Sequence, residues 1–192
     1  MRLLLSAFAP ELGPLAGDPP PGWATATVGV GAVTAAAATA RLLAERRPEA
    51  VLFLGTCGRY DGRLAQFECL WASEAIATSL EEVRGGAYRP GIERTRWPAT
   101  LPGPLPAHPV AVPPAITNTR EGAAALASIA PAEHLELTGV FAACHAAGVP
   151  FGGALVVVND VGPEAPAQWK ANHVEGSRRL VEALRDSGFL GA

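Results

Sequence analysis

Ala154-Leu155-Val156-Val157-Val158 carries no polar side chain, and it constrains the fold more than any other stretch. A strand that is apolar at every position offers no face to water, so it must be covered on both sides. The run belongs to a longer segment, His134 to Asp160, whose ends are polar while its middle is not. Between Thr138 and Ala147 nearly every residue is small or apolar, which reads as a buried helix. Glu136 stands at the start of that helix, and Asn159-Asp160 closes the strand. Polar groups placed there do not solvate a surface; they mark a site.

Other segments supply companion elements. Arg2–Phe8 reads as a buried strand ending at Pro10-Glu11, and Ala24–Val30 as a second strand. Gly29-Val30-Gly31 forms a glycine turn into a helix over Ala35–Arg46, rich in Ala, Leu, Glu and Arg and closed by Pro48. Val51–Leu54 is a continuous apolar strand running into a second glycine turn, Gly55-Thr56-Cys57-Gly58, and Phe67–Trp71 is a further strand. Residues 84–109 read as a long irregular loop, either functional or a surface excursion. Val110–Ile116 contains Pro113-Pro114 and belongs at a sheet edge or bulge. A helix over Thr119–Ile129 is capped by Thr119 or Asn118. The last helix, His173–Leu184, offers Val174, Leu180, Val181 and Leu184 to a core. The pattern predicts an α/β protein: one domain over residues 1–192, a three-layer α/β/α arrangement with a mixed central sheet. Ligands of such sheets sit at the C-terminal ends of strands, which puts Glu11, the Gly55–Gly58 turn and Asn159-Asp160 at the mouth.

Charge and cysteine content narrow the function. Fifteen Lys and Arg against 18 Asp and Glu give a net charge of −3, with no basic block. A nucleic-acid partner is therefore not expected. Met1–Pro10 is too short an apolar run to span a bilayer, so no membrane partner is expected either. Three cysteines (Cys57, Cys69, Cys144) without CxxC spacing suggest neither a disulfide framework nor a thiolate zinc site and fit a reducing cytoplasm.

Several motifs admit a chemical reading. Gly29-x-Gly31 before a helix could approach a pyrophosphate, but Thr34 holds the third glycine position and no acid ends the next strand. His134-x-Glu136 matches part of a zinc deaminase pattern without its P-C-x-x-C partner. Cys144 and His145 are adjacent on a helix, so their side chains diverge by roughly 100°. Cys57 on a glycine turn could be a nucleophile, although no histidine is placed to activate it. Glu11, Glu136 and Asp160 with the hydroxyl of Thr56 make a polar site that lacks a concentrated positive charge.

Four segments in order, MRLLLSAFAPELGPL, GVGAVTAAAATARLL, VLFLGTCGRYDG and LELTGVFAACHAAGVPFGGALVVVND, resemble the nucleoside phosphorylase and nucleosidase superfamily. The likeness is to methylthioadenosine/S-adenosylhomocysteine nucleosidases and futalosine hydrolases in particular. The resemblance implies a cytoplasmic, homo-oligomeric enzyme without a cofactor, taking a small purine-type nucleoside and hydrolysing its N-ribosidic bond. It places Glu11 at the attacking water, Leu135-Glu136 at the ribose hydroxyls, and Thr56, Cys57 and Gly58 along the sugar and base. Phe151 joins this substrate-binding set. The leaving base falls to Asn159 by spacing or to Asp160 by residue type, and Trp169 is comparable to a downstream Trp of futalosine hydrolases. Where phosphorylases of the superfamily carry a phosphate-binding arginine this chain has Phe53, so water is the expected nucleophile. Alternatives are a purine nucleoside phosphorylase, a nucleoside-binding relative without catalysis, or a hydrolase dependent on Cys57.

Overall fold

The computed structural model describes residues 1–191; Ala192, the last residue of the expected domain, lies outside them. In chain order the elements are β1 (Arg2–Ser6), a 3₁₀ segment (Ala9–Ala16), β2 (Trp23–Thr27), α1 (Ala32–Arg46), β3 (Val51–Arg59), β4 (Cys69–Ala77), α2 (Leu80–Val83) and β5 (Arg96–Pro98). They continue with β6 (Ala107–Val112), α3 (Arg120–Leu126), β7 (Ala132–Glu133), α4 (Leu137–Ala147), β8 (Phe151–Asp160) and α5 (Ala165–Asp186). Among the described residues no helix is long and apolar enough to cross a membrane.

The fold is mixed α/β around one mixed sheet. β1 lies between β2 and β3, parallel to both. β3 runs parallel to β8, and β8 pairs antiparallel with β4. β4 pairs with β5 and β6, and β6 with β7. β7 then returns to pair antiparallel with Gly58 and Arg59 at the end of β3. The ring β3-β8-β4-β6-β7 thus closes on itself, which a flat three-layer stack does not do. Closure falls at the C-terminal end of β3, where β8 also ends.

Strand alternation divides the core in two. Phe53, Leu155 and Val157 face α1 and α4, where Ala35, Leu42, Val140 and Phe141 pack on them. Leu52, Leu54, Val156 and Val158 face the other side, against Leu12 and Leu15 of the 3₁₀ segment and Leu180, Val181 and Leu184 of α5. Each such side chain, fully buried, stabilises the fold by roughly 1.5–3 kcal/mol. α1 and α4 approach backbone to backbone: a Cβ on Gly139 would lie 2.0 Å from the carbonyl oxygen of Ala32.

Several elements differ from the sequence expectation; the strands read at Ala24–Val30 and Phe67–Trp71 are Trp23–Thr27 and Cys69–Ala77. Gly55–Gly58 is not a turn but the second half of β3, because β8 and β7 continue to hydrogen-bond it. β6 is not an edge strand; it is paired on both sides, and Pro113-Pro114 fall after its end. The 84–109 stretch is shorter as a loop than expected, since β5 and the start of β6 lie within it. α5 begins near Ala165, with a proline in its first turn where the missing N–H costs nothing. Gly176 lets the helix approach Val156 and Val158, and Val174 is left exposed. The cap of α3 is Thr119, whose hydroxyl accepts the N–H of Gly122.

Candidate active site

β1 ends at Ser6, and the chain folds at once into the 3₁₀ segment, with Pro10 in its first turn. This turn carries Glu11 back over the strand ends. One carboxylate oxygen, Oε1, accepts the N–H of Thr56 at 2.9 Å and its hydroxyl at 2.8 Å. The other accepts the N–H of Ala7 at 3.2 Å. Despite three donors the carboxyl is pushed up to about 7, because Glu11 is only 3% exposed and burial disfavours its charge. The hydrogen bonds from Thr56 oppose that effect, and the nearby charge of Glu136 adds to it.

Glu136 immediately precedes α4, and its Oε1 accepts the N–H of Gly31 at 2.8 Å. Gly31 sits at φ +88°, a conformation that favours glycine, and it caps α1. The glycine turn therefore presents its N–H to a carboxylate of the protein. Gly139 makes this pairing reachable, since it lets α4 rest on the first turn of α1.

Behind Glu136 stands His134, a residue whose importance the sequence reading passed over. Its Nδ1 accepts the N–H groups of Glu136 (3.1 Å) and Leu137 (3.3 Å) and lies 3.2 Å from Oε2 of Glu136. Burial lowers the imidazole below the usual histidine range, against the opposing pull of Glu136. Next to it, Glu133 takes hydrogen bonds from the Tyr60 hydroxyl (2.8 Å) and from Thr117 through its N–H (3.0 Å) and hydroxyl (2.5 Å). That carboxylate is spent on joining β7 to the loop before α3.

An aromatic wall completes the mouth. The indole N–H of Trp169 donates to the Thr56 hydroxyl at 3.1 Å, and that hydroxyl donates to Glu11. Trp169 is stacked on His173 with centroids 4.2 Å apart and planes 10° from parallel; Phe8 lies 5.7 Å from Trp169. Of the three only Trp169 was legible beforehand. The i, i+4 spacing of Trp169 and His173 was the available signal for the second.

At the end of β8 the choice between Asn159 and Asp160 resolves geometrically. The register shifts between Cys57 and Gly58, so Cys57 pairs with Val157 but Gly58 pairs with Asn159. Val158 is the extra residue of a bulge, which re-aims the side chains beyond it. Asn159 is turned inward, and a Cβ on Gly58 would lie 2.8 Å from its Nδ2. Its amide donates to the Asp160 carbonyl at 2.9 Å. Asp160 is exposed, paired with Arg59 at 2.6 Å, and that pairing holds its carboxyl below the usual range. Asp160 thus stands at the surface in an ion pair, whereas Asn159 is buried.

Two further candidates are corrected. Phe151 opens β8, opposite Val51, and packs on Phe141 with centroids 4.7 Å apart. It lies eight residues before Asn159, roughly 26 Å along the strand, and belongs to the core. Cys57 points into the apolar cluster that contains Phe53 and Val157. Burial holds its thiol far above the ordinary range, which disfavours the thiolate a nucleophile needs. Leu135 is half-buried between His134 and Glu136. Among the described residues no group of three or more His, Cys, Asp or Glu side chains could hold a metal ion. The structure thus gathers Glu11, Thr56, Glu136 and Trp169, sets Asn159 against Gly58 two residues along β3 from Thr56, and leaves Phe151, Cys57 and Asp160 outside that cluster.

The fold is shared with solved nucleosidases and with a solved futalosine hydrolase. A solved futalosine hydrolase mutant of Helicobacter pylori matches with a TM-score of 0.81 at 16% identity, over 97% of each chain. The 5'-methylthioadenosine/S-adenosylhomocysteine nucleosidase of S. pneumoniae, solved with a transition-state inhibitor, matches with a TM-score of 0.83 at 16% identity, over 100% of this chain and 99% of the other. The corresponding H. pylori nucleosidase, with butyl-thio-DADMe-Immucillin-A, matches with a TM-score of 0.83 at 15% identity, over 97% of this chain and 96% of the other. No protein-family model and no curated protein matches the sequence. At these identities the likeness establishes the fold.

Proposed function

We propose that this protein is a nucleosidase that hydrolyses the N-ribosidic bond of a purine-type nucleoside, futalosine-like or methylthioadenosine-like. The observation that carries the reading is the pair of buried carboxylates, Glu11 and Glu136. They come from two different elements and interact with one another at the C-terminal ends of parallel strands. Solved structures that share the fold include futalosine hydrolases and methylthioadenosine/S-adenosylhomocysteine nucleosidases, which supports the choice of substrate class.

Breaking an N-ribosidic bond builds positive charge on the sugar, and a carboxylate must activate the water that meets it. Glu11, titrating about 7, matches a general base working near neutral pH. Thr56 fixes the rotamer of Glu11 with two hydrogen bonds. Glu136 has one oxygen held by Gly31 and one that accepts no hydrogen bond among the described residues, which suits it to the hydroxyls of a ribose. Asn159 is assigned to the leaving base, where an amide hydrogen-bonds without giving up a proton. Water is preferred over phosphate because no Lys or Arg side chain is hydrogen-bonded or ion-paired to Glu11, Thr56 or Glu136 among the described residues, and Phe53 is a core side chain packed against His134.

The test is release of free base from a panel of purine nucleosides, with and without inorganic phosphate. Phosphate-independent release is expected. Strict dependence on phosphate makes the protein a phosphorylase, and saturable binding without base release makes it a binder.

A further inference from the structure

The imidazole of His134 does structural work in the site that no ion pair explains. Its Nδ1 lies within hydrogen-bonding distance of two backbone N–H groups, those of Glu136 and Leu137. A nitrogen that accepts from two N–H groups has no proton of its own, so the ring is neutral and carries its proton on Nε2. The Glu136 side chain makes no capping hydrogen bond to α4. His134 instead supplies, from two residues upstream, the acceptor that a Ser or Asp normally gives a helix start.

Neighbours of the ring fit this role. Phe53 meets it edge-on at 5.1 Å. Gly55 leaves it room, since a Cβ there would lie 2.9 Å from Nε2. Gly55 and Thr56 together therefore serve both carboxylates, one by making space for His134 and the other by holding Glu11. With the Nδ1 lone pair engaged, the 3.2 Å contact to Oε2 of Glu136 brings two acceptors face to face. In this tautomer Oε2 accepts nothing from the imidazole and stays available to an outside donor.

We propose that His134 is a positioning residue for Glu136: as a neutral imidazole it pins the first turn of α4 and so aims Oε2 at the sugar hydroxyls. The proposal rests on the nucleosidase reading for the identity of the sugar, but the state of His134 can be read without it. Asn places an acceptor oxygen where His has Nδ1, whereas Leu fills the space without one. With a ribonucleoside, His134→Leu is expected to raise KM about tenfold, the scale of a lost helix cap, with a smaller effect on kcat. His134→Asn is expected to stay within about threefold of wild type. The preference for a ribonucleoside over its 2'-deoxy counterpart should fall in the Leu variant and persist in the Asn variant. Equal losses in both variants, or a loss blind to the 2'-hydroxyl, would overturn the proposal.

A second measurement separates this outcome from failure of the functional reading. Nitrogen-15 NMR of wild-type protein labelled at histidine should show His134 protonated on Nε2 alone at neutral pH. Amide exchange at Leu137 should be slow in the wild type and the Asn variant and fast in the Leu variant. An imidazole protonated on Nδ1 overturns the proposal whatever the activity. Wild-type protein that releases no base overturns the nucleosidase assignment, and the NMR result then decides the role of His134 at α4.

Discussion

Glu11→Gln tests the site through stability as well as rate. The carboxyl titrates about 7 in the folded chain, against 4.5 for an unperturbed glutamate. The native state thus binds this proton more tightly than the unfolded state. Its contribution to stability is complete below the unfolded value, declines as pH rises, and is gone once pH has passed the folded value. Between about pH 5 and about pH 8.5 that amounts to a loss of about 2.5 kcal/mol, from the two titration curves taken together. Glutamine has no charge to desolvate and removes this slope. Its oxygen can still accept from Thr56, while its NH2 would face the Ala7 N–H, which forfeits one hydrogen bond at about 1–3 kcal/mol. Urea unfolding followed by circular dichroism at the two pH values should show the wild type losing about 2.5 kcal/mol more than the variant on going to the higher pH. Base release by the variant should fall by about 10²-fold or more, the usual contribution of a general base. The wild-type rate should rise with pH through about 7 and then level, because the base must be ionised. A variant with the wild-type pH slope of stability would refute the burial argument, and one with wild-type turnover would refute the role of Glu11.

Three other outcomes follow from the same geometry. Glu136→Gln removes a charge that raises Glu11, so the rising limb of the pH–rate profile should move to lower pH, and kcat/KM for a ribonucleoside should fall about tenfold to a hundredfold. Asn159→Ala should slow base release roughly tenfold, whereas Asp160→Asn, which loses a solvent-exposed ion pair with Arg59, should stay within about twofold; steady-state kinetics finding the opposite order would restore Asp160 to the site. Gly139→Ala forces a methyl toward the Ala32 carbonyl, and thermal unfolding should show a loss of about 1–3 kcal/mol.

Local pattern accounts for much of what could be read early. An apolar run such as Val51–Leu54 or Ala154–Val158 reports a strand buried on both faces, and Ala-rich segments report helices, because burial and backbone propensity act within a few residues. Glu11 and Glu136 were visible for the same reason: an acid at the end of an apolar element is conspicuous. Other features depend on partners distant in the chain. Gly55–Gly58 looks like a turn until β7 and β8 are beside it to make it a strand. Of the two readings of β6, an edge or a bulge, the closed ring excludes the edge by giving it neighbours on both sides, while its pairing with β4 does carry a register shift between Ala72 and Glu74.

The chain's own sequence thus determined the α/β class, the buried strands and the two carboxylates, all of which follow from which residues tolerate water. Tertiary structure decided which groups meet them. A one-residue bulge at Val158, set by pairing across the sheet, turned Asn159 inward and Asp160 out to Arg59. Contacts more than a hundred residues apart brought Gly31 to Glu136 and Trp169 to Thr56. His134, read alone as half of a metal motif, became the cap of α4 only when folding buried it and left its lone pair facing two backbone N–H groups. Register, burial and the choice of hydrogen-bond partner are properties of packed neighbours, so no local stretch of sequence carries them.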